Sequence, residues 1–123
     1  MTRISVLGAG AFGTAYAVSL ARDGREVTLW ARDPGDMQDG RENRRRLPGV
    51  RLPDGVSVTG DFAKAASADI ILLAIPLQKL SGVLTENRPH LGTQTLVSCA
   101  KGIDIATGRG PAEIIAAACP DAT

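Results

Sequence analysis

The chain has 123 residues, 44% hydrophobic and 22% charged, with a formal net charge of +1. Single domains run to about 100–150 residues, so these residues make roughly one domain and no repeat array. The balance of apolar and charged residues excludes a disordered chain and a polyanion binder driven by bulk charge. The longest apolar run, residues 70–77, contains Pro76 and falls far short of the ~20 residues a membrane span needs. The N-terminus passes straight into a strand pattern, without the sections of a signal peptide, so a cytoplasmic protein with no membrane span and no nucleic-acid partner is expected.

The first element is a strand over residues 3–7, Arg-Ile-Ser-Val-Leu, short, β-branched and bounded by glycine. A helix follows, with Phe12, Ala15, Ala17, Leu20 and Ala21 at helical spacing and Asp23-Gly24 as its stop. Residues 26–30 (Glu-Val-Thr-Leu-Trp) read as the second strand and residues 56–59 as a weaker third. Between them, residues 33–55 are polar and arginine-rich, long enough for a functional loop with a short helix inside it. Asp61 is a suitable N-cap for a short helix ending at Ala66. Residues 69–75 are almost continuously apolar, as in a strand of a parallel sheet covered on both faces, and are expected to be central. After Pro76, Leu77, Leu80, Val83 and Leu84 form one helical stripe, residues 95–98 return to strand, and Gly110-Pro111 opens a last helix.

Strand and helix alternate throughout. Right-handed crossovers then give a doubly wound, mostly parallel α/β sheet of Rossmann type, with strand order 3-2-1-4-5 and helices on both faces. Glycine, at 14 of 123 residues, exceeds the usual share of about 7%, and backbone geometry should account for some of the excess.

Gly8-Ala9-Gly10-Ala11-Phe12-Gly13 stands directly after the first strand and opens the first helix. In that context a G-x-G-x-x-G run is a dinucleotide cradle. Gly8 takes the tight turn, Gly10 lets the backbone approach a pyrophosphate, and Gly13 brings helix and strand close together. The helix N-terminus adds free N–H groups and partial positive charge. Which dinucleotide binds is decided at the end of the second strand. Trp30 and Ala31 offer no carboxylate for a ribose hydroxyl, whereas Arg32 can pair with a 2′-phosphate or stack on adenine, so the local chemistry leans to NADP. Asp33 keeps NAD open. On this reading Arg32→Ala weakens NADPH binding more than NADH binding.

Lys101 lies just past the fifth strand, at the carboxyl edge where open α/β sheets bind ligands. Of the other two lysines, Lys64 sits in a short surface helix and Lys79 falls off its helix's apolar stripe. An ammonium at position 101 can stabilise the oxyanion that develops as a carbonyl accepts hydride. Arg44, Arg45 and Arg46 fit a solvated face better than a phosphate site, although three guanidiniums in one loop suit either. Cys99 and Cys119 match no zinc spacing or disulfide framework and read as buried thiols, and His90, the single histidine, reads as a surface helix-end residue. No metal site is expected.

Taken together, the cradle, Leu29-Trp30-Ala31-Arg32-Asp33-Pro34, Arg41-Glu42-Asn43 with Leu47-Pro48-Gly49, Ile71-Leu72-Leu73-Ala74-Ile75-Pro76 with Gln78, and Lys101-Gly102-Ile103 leading to Thr107-Gly108 resemble the bacterial NAD(P)-dependent glycerol-3-phosphate dehydrogenases over essentially the whole chain. The resemblance implies a cofactor site, for NADP or NAD, formed by Gly8, Gly10, Ala11, Phe12, Gly13, Arg32, Pro76 and Lys101. It further implies that Lys101 is catalytic and also reaches the substrate. The reaction implied is hydride transfer between NAD(P)H and dihydroxyacetone phosphate, giving sn-glycerol 3-phosphate for phospholipid synthesis. Three positions depart from the family pattern: Ala11 and Leu77 stand where serine is common, and Arg46 where an aromatic is usual. Residues 1–123 would be the N-terminal NAD(P)-binding domain, with a helical C-terminal domain supplying a second catalytic lysine and most substrate contacts. An exposed sheet edge or helix face, left uncovered without that C-terminal domain, is a route to an artificial homodimer of residues 1–123. The competing readings are another two-domain dehydrogenase, such as a ketopantoate reductase or a hydroxyacyl-CoA dehydrogenase, and an NAD(P)-sensing regulatory module without chemistry.

Overall fold

The computed structural model describes residues 3–35, 37–43, 47, 49–92 and 94–98. Lys101, the run 44–46, both cysteines and the helix expected after Gly110-Pro111 lie outside the described residues. Five four-residue strands, β1 (Ile4–Leu7), β2 (Val27–Trp30), β3 (Val56–Thr59), β4 (Ile70–Leu73) and β5 (Thr95–Ser98), alternate with α1 (Ala11–Arg22), α2 (Met37–Gly40), α3 (Phe62–Ala66) and α4 (Leu77–Glu86), and a 3-10 turn (Arg88–His90) precedes β5. Every pairing is parallel and the order is β3-β2-β1-β4-β5. The expected Rossmann order is therefore the one the chain adopts.

β1 occupies the middle of the sheet, and all four of its side chains are buried. The strand expected to be central, β4, is interior but one place from the middle, and its burial alternates between half-buried and buried. In β1 successive side chains serve opposite faces, as the two-residue strand period demands. Leu7 joins Trp30, Leu73, Phe62, Leu80 and Leu84 on one face; Val6 joins Leu29, Val56, Ala17, Val18 and Leu52 on the other. Burying each large aliphatic side chain contributes about 1.5–3 kcal/mol, so two such layers hold the strands in register. Trp30 packs edge-on against Phe62 with centroids 5.3 Å apart, and its indole N–H donates to the Gly60 carbonyl at 3.3 Å. The end of β2 is thereby pinned.

Helix α1 forms where its apolar spacing places it, and of the spaced residues Ala17 is buried while Leu20 and Ala21 pack against the second layer. Gly13, Thr14, Ala17 and Val18 are buried, while Phe12 is 79% exposed and Ala15 is exposed. The reason is steric: the helix approaches the strands at its first turn through its small residues, which a bulky Phe12 on the inner face would prevent. Helix α4 follows its predicted stripe, with Leu80, Val83 and Leu84 all buried. Asp61 caps α3 as expected, its Oδ1 accepting from the Ala63 and Lys64 N–H groups at 3.0 and 3.4 Å. No helix among the described residues is long and apolar enough to cross a membrane.

Candidate functional site

The turns that leave β1, β2 and β4 converge at the carboxyl edge of the sheet on a cleft of about 950 Å³. β1 stands here between strands reached by opposite crossovers, and that reversal opens a crevice beyond the strand ends. Gly8, Ala9 and Gly10 form the floor near β1; residues 30–35 wall the β2 side; Ala74, Ile75 and Pro76 lead from β4 into α4, whose Lys79, Gly82, Val83 and Glu86 face the opening. These four α4 positions are separated by three and four residues, the spacing of one helix face. A second hollow of about 630 Å³ lies at the other end of the sheet, lined in part by Asp69, His90 and Gln94. Its main polar side chain is committed: the Gln94 amide donates to the Ala66 and His90 carbonyls and accepts from the Gly92 N–H. The larger cleft is the candidate site.

Two glycines of the run meet the steric demands expected of them. Gly8 has φ +109°, and a Cβ there would lie 2.5 Å from the Ala74 carbonyl oxygen. Its N–H donates to the Trp30 carbonyl at 2.9 Å, which ties the turn to the end of β2. A Cβ on Gly13 would strike the Gly8 carbonyl oxygen and crowd the Ala74 methyl, so the third glycine permits the close packing of α1 on the turn. Gly10 differs. A Cβ there meets nothing within 4 Å, and the open space beside it belongs to the cleft. Gly10 is the N-cap of α1 in extended conformation and no side chain caps the helix, leaving first-turn N–H groups for an anion. A backbone that approaches a ligand closely, at the end of a twelve-residue helix dipole, fits the diphosphate of a dinucleotide.

Among the described residues, the charged ones lining the cleft are Arg32, Asp33, Glu42, Lys79 and Glu86, two cations against three carboxylates. Within this lining, the uncapped backbone N–H groups at the start of α1 are suited to an anion. Arg32 is exposed where β2 ends, and its Nη2 donates to Glu86 Oε2 across the opening at 3.1 Å. Asp33 Oδ1 accepts from the Gly35 N–H at 3.3 Å within its own turn.

Of the residues singled out from the sequence, Gly8, Gly10, Arg32 and Pro76 line the cleft. Gly13 is buried behind the turn, and Ala11 and Phe12 are exposed in the first turn of α1 without forming a wall. Three residues of the site escape sequence reasoning. Lys79, set aside because it falls off the apolar stripe, faces the cleft for that same reason. Glu86 is the partner of Arg32. Asn43 is buried; its Nδ2 donates to the Ala9 carbonyl at 2.7 Å and to Thr14 Oγ1 at 2.8 Å, fastening the long loop to the cradle. That loop contains the expected short helix, α2, and then Arg41 at φ +54°, held there by Nη2 donation to the Pro53 and Val56 carbonyls at 2.6 and 2.7 Å. The strained backbone delivers the next two residues to the site.

Residues 3–123 match the family described as NAD-dependent glycerol-3-phosphate dehydrogenase N-terminus. The chain belongs to that family. It is similar to the glycerol-3-phosphate dehydrogenase [NAD(P)+] of Paracoccus denitrificans, 53% identical over 120 residues that make up 98% of this chain and 37% of the relative. The corresponding protein of Ruegeria is 49% identical over 123 residues, 98% of this chain and 38% of the relative. Among solved structures, a glycerol-3-phosphate dehydrogenase from Coxiella burnetii superposes with a TM-score of 0.90 at 28% identity, covering 98% of this chain and 38% of that one. The chain thus spans under two fifths of the length of these relatives. The cofactor class of this dehydrogenase family is the nicotinamide dinucleotides, NAD or NADP, and the Gly10 opening above α1 is the part of the chain that fits one.

Proposed function

We propose that this chain is the N-terminal NAD(P)-binding domain of an sn-glycerol-3-phosphate:NAD(P)+ 2-oxidoreductase, which interconverts dihydroxyacetone phosphate and sn-glycerol 3-phosphate and supplies glycerol phosphate for phospholipid synthesis. The observation that carries the reading is the uncapped N-terminus of α1 beside Gly10, opening onto the cleft at the carboxyl ends of β1, β2 and β4. In this reading Gly8 and Gly13 shape the cradle, and the first-turn N–H groups at Ala11 and Phe12 hold the diphosphate. Pro76 borders the cofactor where the chain enters α4, and Arg32 meets the adenosine end.

The dinucleotide, when bound and reduced, supplies the hydride. As hydride adds to the ketone carbon, the carbonyl π pair moves onto oxygen. The Lys101 ammonium, three residues after β5 in the sequence, stabilises the charge that gathers there. A proton must then reach that oxygen, and the substrate phosphate needs its own clamp; we assign both to the remaining length of the full protein, which the relatives possess. The partner is thus a small phosphorylated ketone, and the setting the cytoplasm. A homodimer joined along an edge strand of the sheet is compatible with this reading, and sedimentation of the full-length protein checks it: a monomer at all concentrations rules it out.

The test is oxidation of NADH and of NADPH by the full-length protein with dihydroxyacetone phosphate. Substrate-dependent oxidation is expected, and Lys101→Ala is expected to slow it about 10²- to 10³-fold, the usual effect of removing one preorganised oxyanion donor. Dinucleotide binding without such oxidation would instead favour the sensing module.

A further inference from the structure

We infer that Glu86, at the end of α4, sets the choice between the two nicotinamide dinucleotides by occupying Arg32. The inference rests on the reading of the cleft as a dinucleotide site, and adds to it a residue from the far wall. Arg32 follows β2 at the place where a 2′-phosphate is recognised in this architecture. Its Nη2 is 3.1 Å from Glu86 Oε2, a bridge between residues 54 positions apart that spans the mouth of the cleft. Asp33, the nearer carboxylate in sequence, is engaged with the Gly35 N–H in its own turn. The acid that faces the guanidinium therefore comes from another element.

The placement of Glu86 runs against local preference. A carboxylate in the last turn of a helix meets the negative end of the helix dipole, and α4 carries no basic residue in that turn. Its counter-ion is supplied across the opening. Such a departure from local rules marks a site rather than a scaffold position. Both side chains are more than 60% exposed, 66% for Arg32 and 61% for Glu86, so water screens the pair and it yields to a stronger partner.

The two cofactors meet this pair differently. A 2′-phosphate has to displace the Glu86 carboxylate from Arg32 and then remain close to a like charge. A 2′-hydroxyl imposes neither demand and leaves the pair in place. Glu86 is thus a discriminator against NADP at a site whose arginine alone would favour it. Specificity built from a repulsive element of this kind needs no new contact to the preferred ligand.

The experiment is titration of NADH and NADPH into the full-length protein, followed by the fluorescence of the reduced nicotinamide. The isosteric neutral variant Glu86→Gln is expected to tighten NADPH about three- to tenfold, within the range of one removed exposed charge pair and one removed repulsion, with NADH changed less than about twofold. In an Arg32→Ala background the same substitution should lose most of that gain. An unchanged ratio of the two affinities in Glu86→Gln, equal shifts for both cofactors, or a gain that persists at full size without Arg32 would each overturn the inference. If the unaltered protein binds neither dinucleotide, the reading of the cleft itself fails, a result that the variants do not produce.

Discussion

Gly8 and Gly10 share one turn, yet substitution at each asks a different question. Alanine at position 8 would have to hold φ +109° with its Cβ 2.5 Å from the Ala74 carbonyl oxygen. The backbone conformation alone costs about 1–3 kcal/mol for a residue other than glycine, and the clash adds to it. Gly8→Ala is therefore expected to lower stability measurably in a denaturant melt. Position 10 has φ −72° and free space around a Cβ, so Gly10→Ala is expected to change stability by less than about 0.5 kcal/mol. The new methyl instead stands in the cleft, and dinucleotide affinity should fall roughly tenfold, about 1.4 kcal/mol. Normal NADH and NADPH binding by Gly10→Ala would remove the cradle from the proposed function. The turn at these glycines is legible in the sequence because its ends are adjacent in the chain. The partner of Arg32 is not legible, since nothing near position 32 points to position 86.

Among the elements, the contrast between Asp61 and Asn43 shows the same limit. Asp61 caps N–H groups two and three residues ahead, so its function follows from its neighbours. Asn43 has partners 34 and 29 positions away, and although it belongs to a motif of the family resemblance, nothing in the loop around it tells what it bonds to. Its amide joins the buried Thr14 hydroxyl to the cradle carbonyl of Ala9, and Asn43→Ala would leave both acceptors without that donor. A loss of about 1–3 kcal/mol is expected for a buried polar contact broken on one side. The loop from α2 to β3 should then exchange its amide hydrogens faster than the sheet does, as segments of low local stability do. Unchanged stability and uniform exchange would show that the loop is held elsewhere. The orientation of α1 belongs at this scale too. Of the apolar spaced residues, Ala17, Leu20 and Ala21 do pack on the sheet, whereas Phe12 and Ala15 are exposed and Gly13 and Thr14 are buried at the first turn instead. Periodicity reports hydrophobicity and is blind to how near two backbones must come.

At the scale of the molecule, the chain matches 98% of its own length but only 37–38% of its relatives. Residues 1–123 alone are accordingly expected to bind NADH or NADPH in a titration and to show no oxidation dependent on dihydroxyacetone phosphate, whereas the full-length protein shows both. Turnover by residues 1–123 alone would transfer the proton donor and the phosphate clamp into this domain. The order of strands and helices, the place of the glycine turn and the parallel sheet were determined by the sequence itself, because strand runs, caps and glycine turns are local signals and the handedness of crossovers leaves few ways to arrange them. Which residues α1 buries at its first turn, which wall Lys79 joins, what anchors the long loop and which carboxylate answers Arg32 were decided only in the tertiary structure. Each depends on the distance between groups far apart in the chain, and that distance exists only once the sheet has brought the strand ends together.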